Sequence, residues 1–183
     1  MKTKILTSLI TATLFTGAFA PCVMAEDKAL TPIESAAADG RFIESTAQGN
    51  WAEIKASELA KSRTKRENVK DFATAMVNDH KEMDKQLTAL ADKLNVKLPK
   101  DITGEQQTTF DLLKNANDAD FDRMYMDTMV VDHRKLVALF DDTAKSTKHG
   151  DMKKFIDANL PHLQGHLAKA EELAKSLGSV AVK

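Results

Sequence analysis

Cysteine occurs once in 183 residues, at Cys22. It stands inside a segment that reads as an export signal, so the expected mature chain has neither a disulfide nor a thiolate ligand, and packing alone must hold it in an oxidising compartment. Glycine and proline are scarce, at 7 and 4, and those few fall between stretches of Ala, Lys, Leu, Glu and Asp with helical periodicity. That pattern implies an all-α fold. Positive charge is not in excess either: without Lys2 and Lys4 the chain carries 24 basic against 27 acidic side chains, a formal charge of -3. Such a balance offers no footprint for nucleic acid or for an anionic membrane. Catalytic signatures are missing as well. There is no Gly-rich phosphate loop, no His-Glu-x-x-His and no serine elbow. Nor is there any Glu-x-x-His or Asp-x-x-His, so a carboxylate-rich di-iron site is not encoded in its usual form.

What is present begins with a leader. Lys2 and Lys4 precede an apolar run from Ile5 to Phe19 that is short for a bilayer span, and Val23-Met24-Ala25 supplies small residues for cleavage ahead of Glu26. Pro21 disfavours an earlier cut after Ala20 and also breaks the pattern that lipidation of Cys22 needs. The expectation is a signal peptide over 1–25, export to the periplasm, and no transmembrane helix in the mature chain. Residues 26–40 then form an N-terminal segment with a short helix, residues 41–178 a four-helix bundle domain, and residues 179–183 a tail. A chain of about 158 residues fits one domain that buries roughly 70% of the surface its unfolded form exposes.

Thr31-Pro32-Ile33-Glu34 is a capping box with proline at the first helical position, and Asp39-Gly40 is expected to end the short helix it opens. A first bundle helix is expected over about Arg41–Ala60. Thr64-Lys65-Arg66-Glu67 reads as a second box opening the next helix, which runs to about Leu94 with Val69, Phe72, Met76, His80, Met83, Leu87 and Leu90 along one stripe. Thr103-Gly104-Glu105-Gln106 starts a helical crossover, and the polar run 115–120 interrupts it. A third bundle helix is expected over about 118–147. Gly150 should follow it in a left-handed conformation, with Asp151 capping a last helix that ends at Gly178. Short connections make consecutive bundle helices antiparallel neighbours on either side of the crossover.

Three of the 5 histidines, His80, His133 and His166, lie on three different apolar stripes. Counting at about 1.5 Å per residue places His133 and His166 level about the turn near Gly150, and His80 and His133 level about the joining segment. A buried imidazole needs partners, because an unpaired polar group costs roughly 1–3 kcal/mol. Three at one height could share an ion, and imidazole suits zinc and copper. A hydrogen-bonded polar layer is the alternative. The same count about Thr64 carries His80 to Gln48, and brings Glu44, Gln48 and, less well, Glu53 near this height as candidates for a fourth position. Asp84 is expected to fix the tautomer of His80, whereas Asp79 and Asp132 are expected to project away as solvated or capping carboxylates. His162 stands four residues before His166 and could chelate with it, although it follows Pro161; His149 is expected to be exposed in a turn. Met76 and Met129 each precede a core histidine by four residues, a spacing that could present thioether to Cu(I) or simply fill the core.

The ordered landmarks Ala47-Gln48-Gly49, Ala52-Glu53-Ile54, Phe72-Ala73-x-x-Met76-Val77-x-Asp79-His80, Leu98-Pro99, Phe121-Asp122-x-x-Tyr125, His133 and Leu160-Pro161-x-Leu163-x-x-His166 extend from Arg41 to about Leu177. In these the chain resembles the bacterial exported family called domain of unknown function 4142, whose fold is ferritin-like. The resemblance implies an antiparallel four-helix bundle and marks Glu53, His80, His133 and His166 as its characteristic polar positions, favouring Glu53 over Gln48. It implies no activity. The resulting expectation is an exported ferritin-like bundle whose central histidines bind a transition metal, zinc or copper, in metal handling or envelope stress protection rather than catalysis. Two competing readings are a metal-free structural or interaction protein of the envelope, and a pH-responsive bundle whose histidines charge at about pH 5–6.

Overall fold

Five helices, α1 (Pro32–Arg63), α2 (Glu67–Leu94), α3 (Gly104–Asn115), α4 (Asp118–Ser146) and α5 (Gly150–Ser176), carry the fold in this computed structural model, which describes residues 31–179 and residue 181. The expected signal peptide and cleavage site lie outside the described residues. Two of the expected capping boxes form. Thr31 accepts from Glu34 N while the Glu34 carboxylate accepts from Thr31 N, and Thr103 and Gln106 repeat the exchange at the start of α3. The box expected at Thr64 does not form. Thr64 ends α1 instead, and its hydroxyl accepts from Arg66 N at 3.1 Å, so the short turn uses it locally and α2 starts at Arg66 without a side-chain cap.

Asp39-Gly40 does not break the chain; the short helix expected there is the opening of α1. A glycine in a helix interior costs about 1 kcal/mol, and packing of its neighbours offsets this. Asp39, Phe42 and Ile43 are buried, and Val96 lies where a Cβ on Gly40 would be in ordinary contact. Gly150 is likewise the first residue of α5 rather than a left-handed cap, with His149 at the N-cap and extended Thr147 closing α4. Left-handed backbone among the described residues occurs at Asn95 and Gly178, which end α2 and follow α5.

Helix directions follow from which ends share a core. Ala60, Val69, Phe72, Tyr125 and Leu173 form one cluster, so the C-terminal ends of α1 and α5 meet the N-terminal ends of α2 and α4. Ile43, Leu87, Phe140, Ile156 and Leu163 form the cluster at the other end. Neighbouring helices are therefore antiparallel, and α3 carries the chain back along the outside of the bundle, the single long crossover of ferritin-like folds. The expected level of His80 and His133 holds for a different reason than end-to-end counting. Helices α2 and α4 run parallel, and each histidine sits near the middle of its helix. Arg63 pins the crossover: its guanidinium donates to the carbonyls of Leu113, Lys114 and Ala116 and lies 4.3 Å from the centre of the Phe121 ring.

Between the two apolar clusters lies a polar layer to which each of the four long helices contributes. Asn50 and Glu53 come from α1, His80 from α2, His133 from α4 and His166 from α5. No helix among the described residues is long and apolar enough to cross a membrane.

Candidate metal centre

The three imidazoles meet as a nearly equilateral group, with ring centres 5.5 Å apart for His80 and His133, 5.4 Å for His80 and His166, and 5.5 Å for His133 and His166. One nitrogen of each ring lies within 4.8 Å of one nitrogen of each of the others. His80 and His133 are 1% and 0% exposed, while the His166 side chain retains 12%, so the cluster meets solvent on the α5 side.

Hydrogen bonding fixes the tautomer of each ring. Asn50 donates Nδ2 to the His80 carbonyl at 2.9 Å, which turns its Oδ1 to His80 Nδ1 at 2.7 Å; that nitrogen must carry the proton. His133 Nδ1 faces the Met129 carbonyl at 3.0 Å, and a carbonyl only accepts. His166 Nε2 lies 2.9 Å from Asp79 Oδ2, an acceptor when ionised. In the neutral rings the lone pairs therefore fall on His80 Nε2, His133 Nε2 and His166 Nδ1. Those same three buried nitrogens have no hydrogen-bond partner.

Glu53 is 2% exposed and turns its oxygens to the other edge of two rings, 3.2 Å from His80 Nδ1 and 3.1 Å from His133 Nδ1. Neither approach has the alignment of a good hydrogen bond, and the carboxylate acts chiefly through its charge. Burial pushes its pKa up, but His133, His80 and His166 together outweigh burial and leave it below the ordinary carboxylate value. His133 shows the reciprocal effect. Burial pushes its imidazole down, and Glu53, the Met129 carbonyl and Asp132 more than reverse this, leaving it raised. For His80 burial wins, and its pKa falls to about 4 despite Glu53. Burial also leaves His166 lowered, against the opposing pull of Asp79.

Several placements differ from the expectations. Glu53 faces the protonated Nδ1 edges, away from the nitrogens left as lone pairs, and so sits behind the cluster as a charge partner rather than among its donor atoms. Glu44 is exposed, and Gln48 reaches toward the Asp101 carbonyl at 3.4 Å; neither joins the histidines. The tautomer of His80 is set by Asn50, while Asp84 stands one step further out, accepting from Trp51 Nε1 at 2.7 Å and lying 3.5 Å from Asn50 Nδ2. Asp79 pairs with His166 instead of with solvent alone. Asp132 is partly buried, and burial, followed by the charge of Glu53, raises it to about 6. His149 is exposed, as expected; His162 is exposed too and lines a cavity with His80 and His166. Met76 and Met129 are fully buried in the apolar cluster beside the polar layer.

The fold and this layer define a ferritin-like bundle with a buried histidine centre. Residues 24–173 match the family described as Domain of unknown function (DUF4142), and the chain belongs to that family. Among solved structures the chain is similar to a DUF305 fragment from Deinococcus radiodurans, with a TM-score of 0.69 and 13% identity over 81% of this chain and 99% of that one. It is also similar to CopM in its Cu(II)-bound form and in its Ag-bound form, each with a TM-score of 0.63 and 19% identity over 75% of this chain and 97% and 96% of those chains. At such identities the likeness concerns the fold. No curated protein matches the chain.

Proposed function

We propose that this protein binds one transition-metal ion, copper or zinc, through His80 Nε2, His133 Nε2 and His166 Nδ1, and serves metal handling outside the cytoplasm rather than catalysis. The observation that carries the reading is one tight cluster of three imidazoles, each of which has one buried nitrogen without a hydrogen-bond partner. A purely structural polar layer would be expected to satisfy those atoms, since each one left unpaired costs roughly 1–3 kcal/mol. Neutral imidazole without thiolate or carboxylate in the donor set suits zinc and copper. The similar CopM structures hold Cu(II) and Ag, which weights copper. Asn50, the Met129 carbonyl and Asp79 keep each ring in the tautomer that presents a lone pair, the usual task of groups behind metal ligands. Export follows from the leader pattern of residues 1–25 and belongs to the same proposal.

Untagged protein titrated with Cu(II) and with Zn(II), its metal content measured after gel filtration, tests the reading. Stoichiometry of about one ion is expected. His133→Ala should abolish tight binding, and His149→Ala, on the exposed turn, should not. Equal loss in both variants would assign the binding to the surface and sink the proposal.

A further inference from the structure

Two cavities approach the polar layer from opposite sides, and they differ in what they reach. The larger, about 580 Å³ beneath α3, has Glu53 in its wall but none of the three histidines. The smaller, about 110 Å³, opens between α2 and α5 and has both His80 and His166 in its wall. His80 is 1% exposed and its Nε2 lacks a partner, so a residue with an unsatisfied buried nitrogen belongs to the wall of this cavity.

The mouth of the smaller cavity is framed by two bridges between α2 and α5. At one edge Asp79 accepts from His166, and at the other Asn159 donates Nδ2 to Gln86 Oε1 at 3.0 Å. The bridges stand two turns apart on each helix, roughly 10 Å. Between them lie Glu82 on α2 and His162 on α5, both exposed. His162 is one helical turn from His166, a spacing at which two side chains on one face are neighbours. Asp79 and Glu82 place negative charge beside an opening that a cation would have to cross.

We infer that metal ions enter and leave through this α2–α5 portal, with His162 as the exposed imidazole that takes the ion first and passes it to His166 and His80. The inference rests on the metal reading above. The step is a ligand exchange with no change of oxidation state: a hydrated ion gives up a water for the His162 nitrogen, further waters leave as buried imidazoles bind, and His162 is released for the next ion. His162 thus governs how fast the site fills and empties, a role that its exposed position permits and that the buried ligands cannot perform.

Stopped-flow mixing with Cu(II), followed by quenching of Trp51, the single tryptophan, measures filling. Excess EDTA added to the loaded protein measures emptying. Trp51 is connected to His80 through Asp84 and Asn50, which makes it a local reporter. His162→Ala should slow both phases several-fold, and Ala158→Phe, which fills the portal wall, should slow them further. Val131→Phe, in the groove beneath α3, should exchange like wild type. Wild-type rates in His162→Ala, or slowing in Val131→Phe but not in Ala158→Phe, overturn the portal while leaving the metal reading intact. Absence of any saturable binding in the wild type removes the metal reading and the portal with it. If Ala158→Phe fails to fold by circular dichroism, the surface substitution His162→Ala still decides the matter.

Discussion

Glu53 Oε1 lies 3.1 Å from His133 Nδ1, and both side chains are almost entirely excluded from solvent. Each favours the charged form of the other against burial, and with His80 and His166 also facing Glu53, and the Met129 carbonyl and Asp132 also facing His133, Glu53 is lowered and His133 raised. The pair favours the protonated form of His133, whereas metal binding needs the neutral ring, so Glu53 opposes metal capture at this imidazole.

Glu53→Gln preserves shape and removes the charge. Breaking a buried pair from one side ordinarily costs about 3–5 kcal/mol. An imidazole, unlike a fixed charge, has a neutral form, so a smaller loss of about 1–3 kcal/mol is expected at neutral pH. Urea unfolding measures the loss, and an NMR titration should find the His133 pKa moved down. An unmoved His133 would show that Glu53 does not act through charge.

Asn50→Leu removes the acceptor for His80 Nδ1 and the donor to the His80 carbonyl at once. The ring is then free to change tautomer and present N–H toward the cluster. Metal affinity should fall about 10–100-fold, as is usual when a partner behind a ligand is lost. Titration of the variant with Cu(II) checks this, and affinity equal to wild type would remove Asn50 from the site.

The histidines were legible because each occupies the apolar stripe of a long amphipathic helix and lies near the middle of that helix. Asn50 was not. Counting about Thr64 pointed at Gln48, two residues away, but two residues turn a helix by about 200°, so the error in height became an error of face. Asp79 was missed for a related reason. It lies about 100° around α2 from His80, an angle that on an isolated helix faces solvent; in a bundle each helix has two flanking neighbours, and that angle aims Asp79 at α5. The capping boxes at Thr31 and Thr103 were readable since nothing else competes for those hydroxyls. At Thr64 the tight turn claims the hydroxyl first, and the pattern alone cannot reveal that.

Added metal should stabilise the folded chain at neutral pH. A ligand bound by the native state alone contributes about 2.7 kcal/mol at a hundredfold excess over Kd. For a domain of this size that corresponds to a rise in Tm of roughly 5–10 °C. EDTA should reverse the rise, and His133→Ala should show none. A wild type whose melting ignores both metal and chelator leaves the metal reading without support.

Acid tests the same cluster in its metal-free form, where the signs differ from ring to ring. His80 is lowered to about 4, below its unfolded value of about 6.5, so between these limits the unfolded chain binds more protons. Stability contributed by neutral His80 is thus complete above that window and lost as pH falls through it, by on the order of 3 kcal/mol. His166 is lowered and acts in the same direction. His133 is raised, so its contribution is full below the unfolded value and is lost as pH rises through its folded pKa. Asp132, raised to about 6, binds a proton more readily in the fold and offsets part of the acid loss. Metal-free protein in EDTA should therefore be most stable near neutrality and weaken on the acid side before the ordinary carboxylates titrate. Urea midpoints measured from pH 7 to 4.5 should fall less steeply in His80→Gln than in wild type, and more steeply in Asp132→Asn. Parallel curves for wild type and His80→Gln would mean that His80 is not held neutral by its surroundings.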